Sequence, residues 1–245
     1  MTGPANLCRV TCRTCGLVSP EVWNEVPDPV VRSLNSRKTI RRLPKGSVLF
    51  HEGDAVTALF RLLSGVVLLR KGDNDGNSVV TRMVTPYATL GFRAFAAQDC
   101  HSVSAHCATE AVVCCIPADA AELAFSNNRQ LERAFALHVA HELTYAEDAV
   151  LAQMRLTVRD RLVLLLSQMA ERFGTAQDDG GVVVALPILR SDIAAMAGIA
   201  RETFSRSLRR IEGEGLLTLS GNTMLVPDGD ALRRAAAAIR TTGGT

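Results

Sequence analysis

The sequence predicts an α+β protein with a sheet-forming N-terminal half, a long central helix and a mainly helical C-terminal region. Two observations carry this prediction. Between Arg41 and Ile116, short apolar runs alternate with turns that contain Gly and Asp, at spacings of about ten residues, which is typical of an antiparallel sandwich or barrel. After Pro117 this pattern ends, and the stretch from Arg129 to Gln168 contains neither glycine nor proline.

Length and composition limit the class of protein. The chain has 245 residues, enough for one large domain or two small ones. Hydrophobic residues make up 47% and charged residues 21%, which excludes a wholly disordered or collagen-like chain. No stretch approaches the roughly 18 continuous apolar residues of a membrane span, and the N-terminus lacks an apolar signal-peptide region. We therefore expect a cytoplasmic protein without a membrane partner.

Arginine dominates the basic residues. The formal net charge is only +2, so the overall charge does not point to a nucleic-acid partner. Three of the 27 basic residues are lysine, and arginine suits bidentate recognition of phosphate and guanine. A genome that favours arginine codons explains this bias equally well. Local clustering is more informative, because residues Arg201–Arg210 contain four arginines and one glutamate.

The predicted strands are the apolar runs of the N-terminal half. A tight turn at Asp75-Gly76 predicts a hairpin between two of them. The runs are Ser47–Phe50, Leu59–Leu63, Val66–Arg70, Val79–Val84, Ala88–Phe92 and Val112–Ile116.

The central helix carries a heptad-like seam. Apolar residues recur along it at intervals of three and four, at Ala136, Val139, Leu143, Ala146 and Val150. Such a seam is as compatible with packing on the same chain as with pairing between two chains. A length beyond about 25 residues without an internal cap favours a homodimer. Asp148, close to the seam in sequence, is expected to repel its symmetry mate if both face the interface.

The C-terminal region predicts a winged helix-turn-helix. An amphipathic helix over Val158–Arg172 precedes a loop, and Ser191 is the expected N-cap of a helix over Asp192–Ala197. A three-residue turn that begins at Gly198 leads into a second helix, Arg201–Glu212. The runs Leu216–Leu219 and Thr223–Val226 then form a hairpin around a Gly-Asn turn, which is the wing.

The second helix of such a unit enters the major groove of DNA, and its first residues contact the base edges. Arginine can bond guanine O6 and N7, glutamate can accept a hydrogen bond from cytosine N4, and serine can serve either role. The alternative is a surface helix with a salt bridge between Glu202 and Arg206. The candidate DNA-binding residues are Arg201, Glu202, Ser205, Arg206 and Arg209.

The run GIARETFSRSLRR, which begins at Gly198, resembles the recognition motif of the CRP/FNR superfamily of bacterial transcription regulators. Glu202, Ser205 and Arg206 match the E-x-x-S-R form of FNR-type members, whereas Ala200 departs from the threonine common before the arginine. Upstream positions that agree are Lys45-Gly46, Phe50, Glu52-Gly53-Asp54, Ser64-Gly65 and Gly91.

The resemblance implies a cyclic-nucleotide-type β-roll (jelly roll), a long dimerisation helix and a C-terminal winged helix-turn-helix. It divides the chain into a cysteine-bearing segment (1–27), a β-roll sensor domain (28–128), a dimerisation helix (129–157) and a DNA-binding domain (158–245). It further implies a homodimer on inverted repeats of TTGAT-type half-sites in double-stranded DNA, with RNA polymerase as a partner.

The resemblance disfavours cyclic nucleotide as the effector. In the family, the phosphate pocket needs a Gly-Glu pair in a short helix and then an Arg-Ser or Arg-Thr pair that neutralises the phosphate. The corresponding stretch here runs from Leu90 to Ser102, and it lacks both the glutamate and the second pair.

The N-terminal cysteines form a dense thiolate group. Cys8, Cys12 and Cys15 have a spacing that suits an iron–sulfur cluster or zinc. The resemblance assigns the fourth ligand to Cys114, which stands two residues before Ile-Pro, and so implies a [4Fe-4S] cluster. FNR-type proteins commonly carry a further N-terminal cysteine where this chain has Glu21, so either Cys8 substitutes for it or the site is labile or of a different kind.

Other sensor chemistries stay open. The same four cysteines suit a structural zinc site. A thiol switch through disulfide chemistry can use Cys100 and Cys107, or the vicinal pair Cys114-Cys115. A bound haem is the third alternative, with a cysteine, His101 or His106 as its candidate ligand.

Two histidines of the central helix, His138 and His141, are expected on its surface.

A cupin-like or thiol-dependent enzyme is the remote alternative to a regulator. It is remote because the chain lacks the H-x-H pair of cupin metal sites, and because an enzyme would leave the winged helix without a role. The chain is therefore expected not to be an enzyme.

Overall fold

The computed structural model describes residues 11–12, 26–72, 78–126 and 128–242. The chain divides into two compact units between Thr144 and Tyr145. Within the described residues, no helix is long and apolar enough to cross a membrane.

The first unit contains a β-roll of two four-stranded antiparallel sheets. The elements of this unit are α1 (Asp28–Arg37), β1 (Thr39–Leu43), β2 (Val48–Phe50), β3 (Ala58–Ser64), β4 (Val67–Gly72), β5 (Ser78–Val84), β6 (Thr89–Leu90), α2 (Phe92–Ala97), β7 (Ser104–Cys107), β8 (Ala111–Pro117) and α3 (Ala118–Ser126). The strand orders are β1-β8-β3-β6 in one sheet and β2-β7-β4-β5 in the other. Both sheets contribute to one core cluster, since it includes Leu62 of one sheet and Val67 of the other.

β8 is buried on both of its faces. Alternate side chains enter two different clusters, with Val113 and Cys115 between the sheets and Cys114 among residues of α1, α3 and β3. This double burial explains why β8 is continuously apolar in sequence and does not alternate with polar residues.

Several strands differ from the sequence prediction. β1 and β7 were not predicted, because β1 is a largely exposed strand that carries Arg41 and Arg42, and β7 contains His106. The predicted strand over Ala88–Phe92 is wrong in part. Gly91 adopts a φ of +83°, which ends β6 and starts α2 at Phe92. β4 and β5 pair as the predicted hairpin, while its turn at Asp75-Gly76 lies outside the described residues.

The long helix α4 spans Arg129–Arg155. The side chain of Asn128 caps it by accepting hydrogen bonds from the backbone N–H groups of Gln130 and Leu131, at 3.1 and 3.0 Å. After α4 ends, Thr157 caps the next helix through a hydrogen bond from the Asp160 backbone N–H.

The second unit is a winged helix-turn-helix, as predicted. Its strands form one antiparallel sheet in the order β11-β12-β10-β9, and Gly221 in the wing turn adopts a φ of +57°. Strands β9 and β10 and the last helix were not predicted. The elements are α5 (Val158–Phe173), β9 (Gly174–Ala176), β10 (Val182–Ala185), α6 (Arg190–Met196), α7 (Arg201–Gly213), β11 (Thr218–Ser220), β12 (Thr223–Val226) and α8 (Gly229–Thr242).

The prediction that Ser191 caps the first helix of the motif is wrong. α6 begins at Arg190, one residue earlier in the chain, with Leu189 in the N-cap position. The buried carboxylate of Asp192 accepts a hydrogen bond from the Leu189 backbone N–H at 3.1 Å. An acidic side chain from inside the first turn therefore closes the helix start.

Candidate functional site

α7 has one buried face and one exposed face. Phe204, Leu208 and Ile211 are buried, and the helix packs against α5 and α6. Since these residues are spaced by four and three, they share one side of the helix. The polar residues between them are therefore directed to solvent, where a DNA duplex can reach them.

The five candidate DNA-binding side chains all lie on this helix and are exposed: Arg201, Glu202, Ser205, Arg206 and Arg209. The Ser205 hydroxyl donates to the Arg201 carbonyl at 3.0 Å, and Arg206 makes one long hydrogen bond of 3.5 Å to Thr203. Among the described residues, Glu202 and Arg206 form no ion pair with each other. The salt-bridged surface helix is thus not observed.

Acidic charge is neutralised at the C-terminal end of α7. Arg159 of α5 donates from Nε to both carboxylate oxygens of Glu214 at 3.0 Å, and Arg210 lies 3.4 Å from the same carboxylate. The hydrogen bonds from Arg159 lower the pKa of Glu214 below its ordinary value. Arg159 was not predicted from the sequence, since nothing near it in the chain indicates its contact with Glu214, 55 residues away.

Arg190 holds the wing in place. Its Nη2 donates to the Leu219 carbonyl at 2.5 Å, and its Nε donates to the Gly221 carbonyl at 3.3 Å. The wing is therefore attached to the first helix of the motif as well as to its own sheet. No sequence signal marks this role, because the contact spans about thirty residues.

Two of the four candidate cluster ligands share one region of the first unit. Cys12 and Cys114 are both almost fully buried and belong to the same core cluster. The Cys12 backbone N–H donates to Oδ1 of Asn35 on α1 at 3.0 Å, which fixes this point of the N-terminal segment. Cys8 and Cys15 lie outside the described residues. Among the residues that are described, no three His, Cys, Asp or Glu side chains group as metal ligands do.

The other described cysteines have different surroundings. Cys107 and Cys115 lie in the core between the sheets, and burial raises the pKa of both thiols. Cys100 is exposed. The vicinal pair is split between two clusters, so the Cys114 and Cys115 side chains lie on opposite faces of β8, as strand alternation predicts.

His101 occupies the interior of the β-roll next to Gly91. Its ring stacks on Phe50 with centroids 3.8 Å apart, and a Cβ at Gly91 would lie 3.2 Å from the His101 ring. Burial lowers the pKa of His101, while the negative charge of Asp54 acts in the opposite direction. The ring is a packed core group.

Lowering the pH is expected to destabilise the fold through His101. In the unfolded chain this histidine binds a proton below about pH 6.5, whereas the folded chain resists protonation until lower pH. The free energy of unfolding therefore falls as the pH drops from about 6.5 to the lowered pKa, by at most about 1.4 kcal/mol per pH unit for this group. His101→Phe keeps a ring on Phe50 and should reduce this slope, measured by urea unfolding at pH 7.5 to 5. An identical slope in the variant contradicts the assignment.

Apart from Asp148, the predicted dimer residues share one side of α4, within about 60° at 100° per residue, but they differ in burial. Val139 is half-buried and packs on the core of the first unit. Leu143, Ala146 and Val150 are exposed. At 100° per residue, Asp148 lies about 140° around the helix from Leu143, so it is not on the same face.

The expectation that His138 is a surface residue is wrong. Its ring contacts Phe92 edge-on at 4.6 Å, and its buried Nε2 has no hydrogen-bond partner among the residues that the structure describes. Burial lowers the pKa of His138, and the charges of Arg82 and Arg61 act in the same direction. An ion pair between Arg82 and Glu142 also attaches α4 to the β-roll.

Two family models match this chain. The model described as Cyclic nucleotide-binding domain matches residues 40–128, and the model described as Crp-like helix-turn-helix domain matches residues 160–235. This order of domains agrees with the β-roll and winged helix-turn-helix described above. The chain belongs to the CRP/FNR family of transcription regulators.

Curated relatives and solved structures of similar proteins agree with this assignment. The Anaerobic regulatory protein of Pasteurella multocida is 24% identical over 92% of this chain and 82% of its own length. The CRP-like cAMP-activated global transcriptional regulator of Mycobacterium tuberculosis is 25% identical over 88% of this chain and 96% of its own length. FixK2 from Bradyrhizobium japonicum has the same fold, with a TM-score of 0.70 and 24% identity over 81% of this chain and 96% of FixK2.

These findings establish the general activity of the regulator. It is a DNA-binding transcription regulator of the CRP/FNR family and not an enzyme. One relative is named as an anaerobic regulatory protein and another as cAMP-activated, so these names do not assign one signal to this chain.

Proposed function

We propose that the regulator binds inverted repeats of TTGAT-type half-sites as a homodimer, under the control of a redox-sensitive [4Fe-4S] cluster. The observation that carries the sensory part is the burial of Cys12 and Cys114 in one core cluster, although they are about a hundred residues apart in sequence. RNA polymerase is the proposed protein partner on DNA.

DNA recognition is assigned to the exposed face of α7. Arg206, Glu202 and Ser205 lie on neighbouring turns, and neither Arg206 nor Glu202 is held in an ion pair with the other. The arginine suits guanine and the glutamate suits cytosine in the major groove. Arg201 and Arg209 supply further positive charge towards the phosphates.

Dimerisation is assigned to the exposed apolar face of α4. Leu143 and Val150 are each about three-fifths exposed and stand seven residues apart, and Met154 extends the same face. Val139 lies on the same side of α4, about 40° around the helix from Leu143, and packs on the β-roll. A dimer through this face gives the two recognition helices the two-fold relation that an inverted repeat requires.

Leu143→Glu is expected to weaken the dimer at least tenfold, because it places two like charges in the apolar interface. Sedimentation of anaerobic protein measures the effect. Leu137→Glu is the matched control, since Leu137 is also exposed on α4 but lies about 120° around the helix from Leu143. An equal loss of dimer in both variants would contradict the proposed face.

The thiolates of Cys8, Cys12, Cys15 and Cys114 are the proposed cluster ligands. Soft thiolates are the ligands that iron–sulfur clusters prefer. Cys12 and Cys114 lie in an apolar region, where burying an anionic thiolate is costly unless a positive charge, such as that of a metal ion, lies next to it. When bound, the cluster supplies sensitivity to oxygen and related oxidants. The residues of this chain attach the N-terminal segment to β8 through Cys12 and Cys114, next to Leu131 and Val139 of α4. The state of the segment is thereby linked to the dimerisation helix.

Packing inside the β-roll argues against a cyclic nucleotide effector. The Leu90–Ser102 stretch offers no glutamate or neighbouring arginine–hydroxyl pair for a cyclic phosphate, and the buried His101 ring lies against Phe50 and Gly91. The match to a cyclic nucleotide-binding domain therefore reflects the fold of the roll.

The test compares protein purified without oxygen with the same protein after exposure to air. We expect visible absorption and equal iron and acid-labile sulfide before air, with tight binding to a TTGAT inverted-repeat duplex. Exposure to air should remove the absorption and weaken DNA binding together. A colourless anaerobic protein with bound zinc, or with no metal, would overturn the cluster but leave the DNA assignment intact.

A further inference from the structure

A cavity of about 570 Å³ lies in the first unit, and neither Cys12, Cys114 nor Leu143 is among its described lining residues. Its walls come from α2 and the loop after it, α3, the first turn of α4 and the loop before β3. This volume lies in the range typical of small-molecule sites, which is about 300–1,000 Å³.

Aromatic rings form an apolar surface in this cavity. Phe95 and Phe125 line it, with ring centroids 5.9 Å apart. Behind them Phe135 of α4 contacts both rings, at 5.8 and 4.9 Å. The three rings support one another, so the two lining rings are held in position to receive an apolar or cationic group.

The charged groups of the cavity are all acidic. Asp99, Glu122 and Glu132 line it, and the described lining residues include no lysine, arginine or histidine. The Asp99 carboxylate accepts a hydrogen bond from the Cys100 backbone N–H at 2.7 Å. Across the described part of the chain, none of the three carboxylates forms an ion pair. Their negative charge is therefore available to a ligand.

We propose that this cavity binds a small organic cation with an apolar body. The ammonium group faces the carboxylates of Asp99, Glu122 and Glu132, while the apolar body packs on Phe95 and Phe125. The combination of an aromatic surface with unpaired carboxylates selects this class over anions and over neutral apolar molecules. Phe95 and Phe125 also pack against the core cluster that contains Cys12 and Cys114, so the site adjoins the proposed ligand region without sharing a described lining residue with it.

Three probes of nearly equal size test the proposal by calorimetric titration of the full chain. They are 2-phenylethylammonium, neutral 2-phenylethanol and the anion 3-phenylpropanoate. We expect saturable binding of the cation, at least tenfold weaker binding of the alcohol, and no binding of the anion. Binding of the anion as strong as that of the cation, or no saturable binding of the cation at millimolar concentration, overturns the proposal.

Variants and a thiol reporter locate the bound cation. The double variant Glu122→Gln and Glu132→Gln should weaken cation binding at least tenfold, whereas Glu110→Gln, which removes a carboxylate outside the cavity, should leave it unchanged. Cys100 lines the cavity and is exposed, so saturation with the cation should change its rate of alkylation, followed by peptide mass analysis. Unchanged affinity in the double variant, or an unchanged Cys100 rate, contradicts this location.

Discussion

Arg206→Ala is expected to abolish the preference of the regulator for the TTGAT-type half-sites proposed above. The side chain is exposed on the face of α7 opposite the buried Phe204 and Leu208. A bidentate arginine–guanine contact contributes about 1–3 kcal/mol of discrimination. In a two-fold dimer the contact occurs twice, which gives a loss of about 2–6 kcal/mol, or roughly 30-fold to 10⁴-fold in affinity.

The measurement is fluorescence anisotropy on a TTGAT inverted-repeat duplex and on a scrambled duplex, over a range of salt concentration. The ratio of the two affinities reports base readout, whereas the salt slope reports phosphate contacts.

Arg210→Ala is the matched control for Arg206. Arg210 lies on the same helix but at its C-terminal end, where it lies 3.4 Å from the Glu214 carboxylate. We expect this variant to keep the ratio between specific and scrambled duplex, even if both affinities change. If Arg206→Ala keeps the ratio and Arg210→Ala loses it, the base-reading end of α7 has been assigned incorrectly.

Cys114→Ala is expected to remove the iron and acid-labile sulfide of the anaerobic protein and to make DNA binding insensitive to air. The proposal assigns one of four ligands to this thiol, and loss of one ligand leaves an incomplete site. Iron, sulfide and the visible spectrum of anaerobic protein are the measurements.

Cys115→Ala controls for the loss of a buried sulfur from the same strand. Cys115 is the next residue on β8 and is also buried, but its side chain lies in the core between the sheets. Each substitution removes a similar volume, at a cost of about 1 kcal/mol or somewhat more. The Cys115 variant should keep its iron. Loss of iron from that variant, with retention in Cys114→Ala, would reverse the ligand assignment.

Cys8 needs its own substitution because Glu21 stands where FNR-type proteins carry a further cysteine. Cys8→Ala should lose iron as completely as Cys114→Ala if Cys8 is a ligand. Retained iron in this variant would indicate that another group completes the site.

Much of the fold was predictable from local patterns. The two helices of the helix-turn-helix, the turn at Gly198 and the wing hairpin depend on periodicity and glycine positions within a few residues of each other. The apolar runs of β3, β4, β5 and β8 were recognised for the same reason. β1 was not predicted because its sequence is basic and largely exposed. It forms a strand through its pairing with β8, which its own sequence does not indicate.

Contacts between distant parts of the chain limited the prediction of the site. The positions of Arg201, Glu202 and Arg206 on one exposed helix follow from the sequence. The roles of Arg159 and Arg190 do not, since each contacts a residue far along the chain. His138 shows the same limit, because nothing near it in sequence indicates that Phe92 and Arg82 lie against it.

The sequence by itself determined the family resemblance, the order of the domains' main elements and the residue types available for DNA and thiol chemistry, since these depend on local pattern and residue identity. The tertiary structure decided which part of α4 packs on the β-roll, so that Val139 is half-buried while Leu143 and Val150, farther along the same side of the helix, are exposed. It also placed Cys12 beside the core that contains Cys114, and it formed the acidic cavity from α2, α3 and α4. Each of these depends on burial shared by segments far apart in sequence, which the pattern within any single segment does not specify.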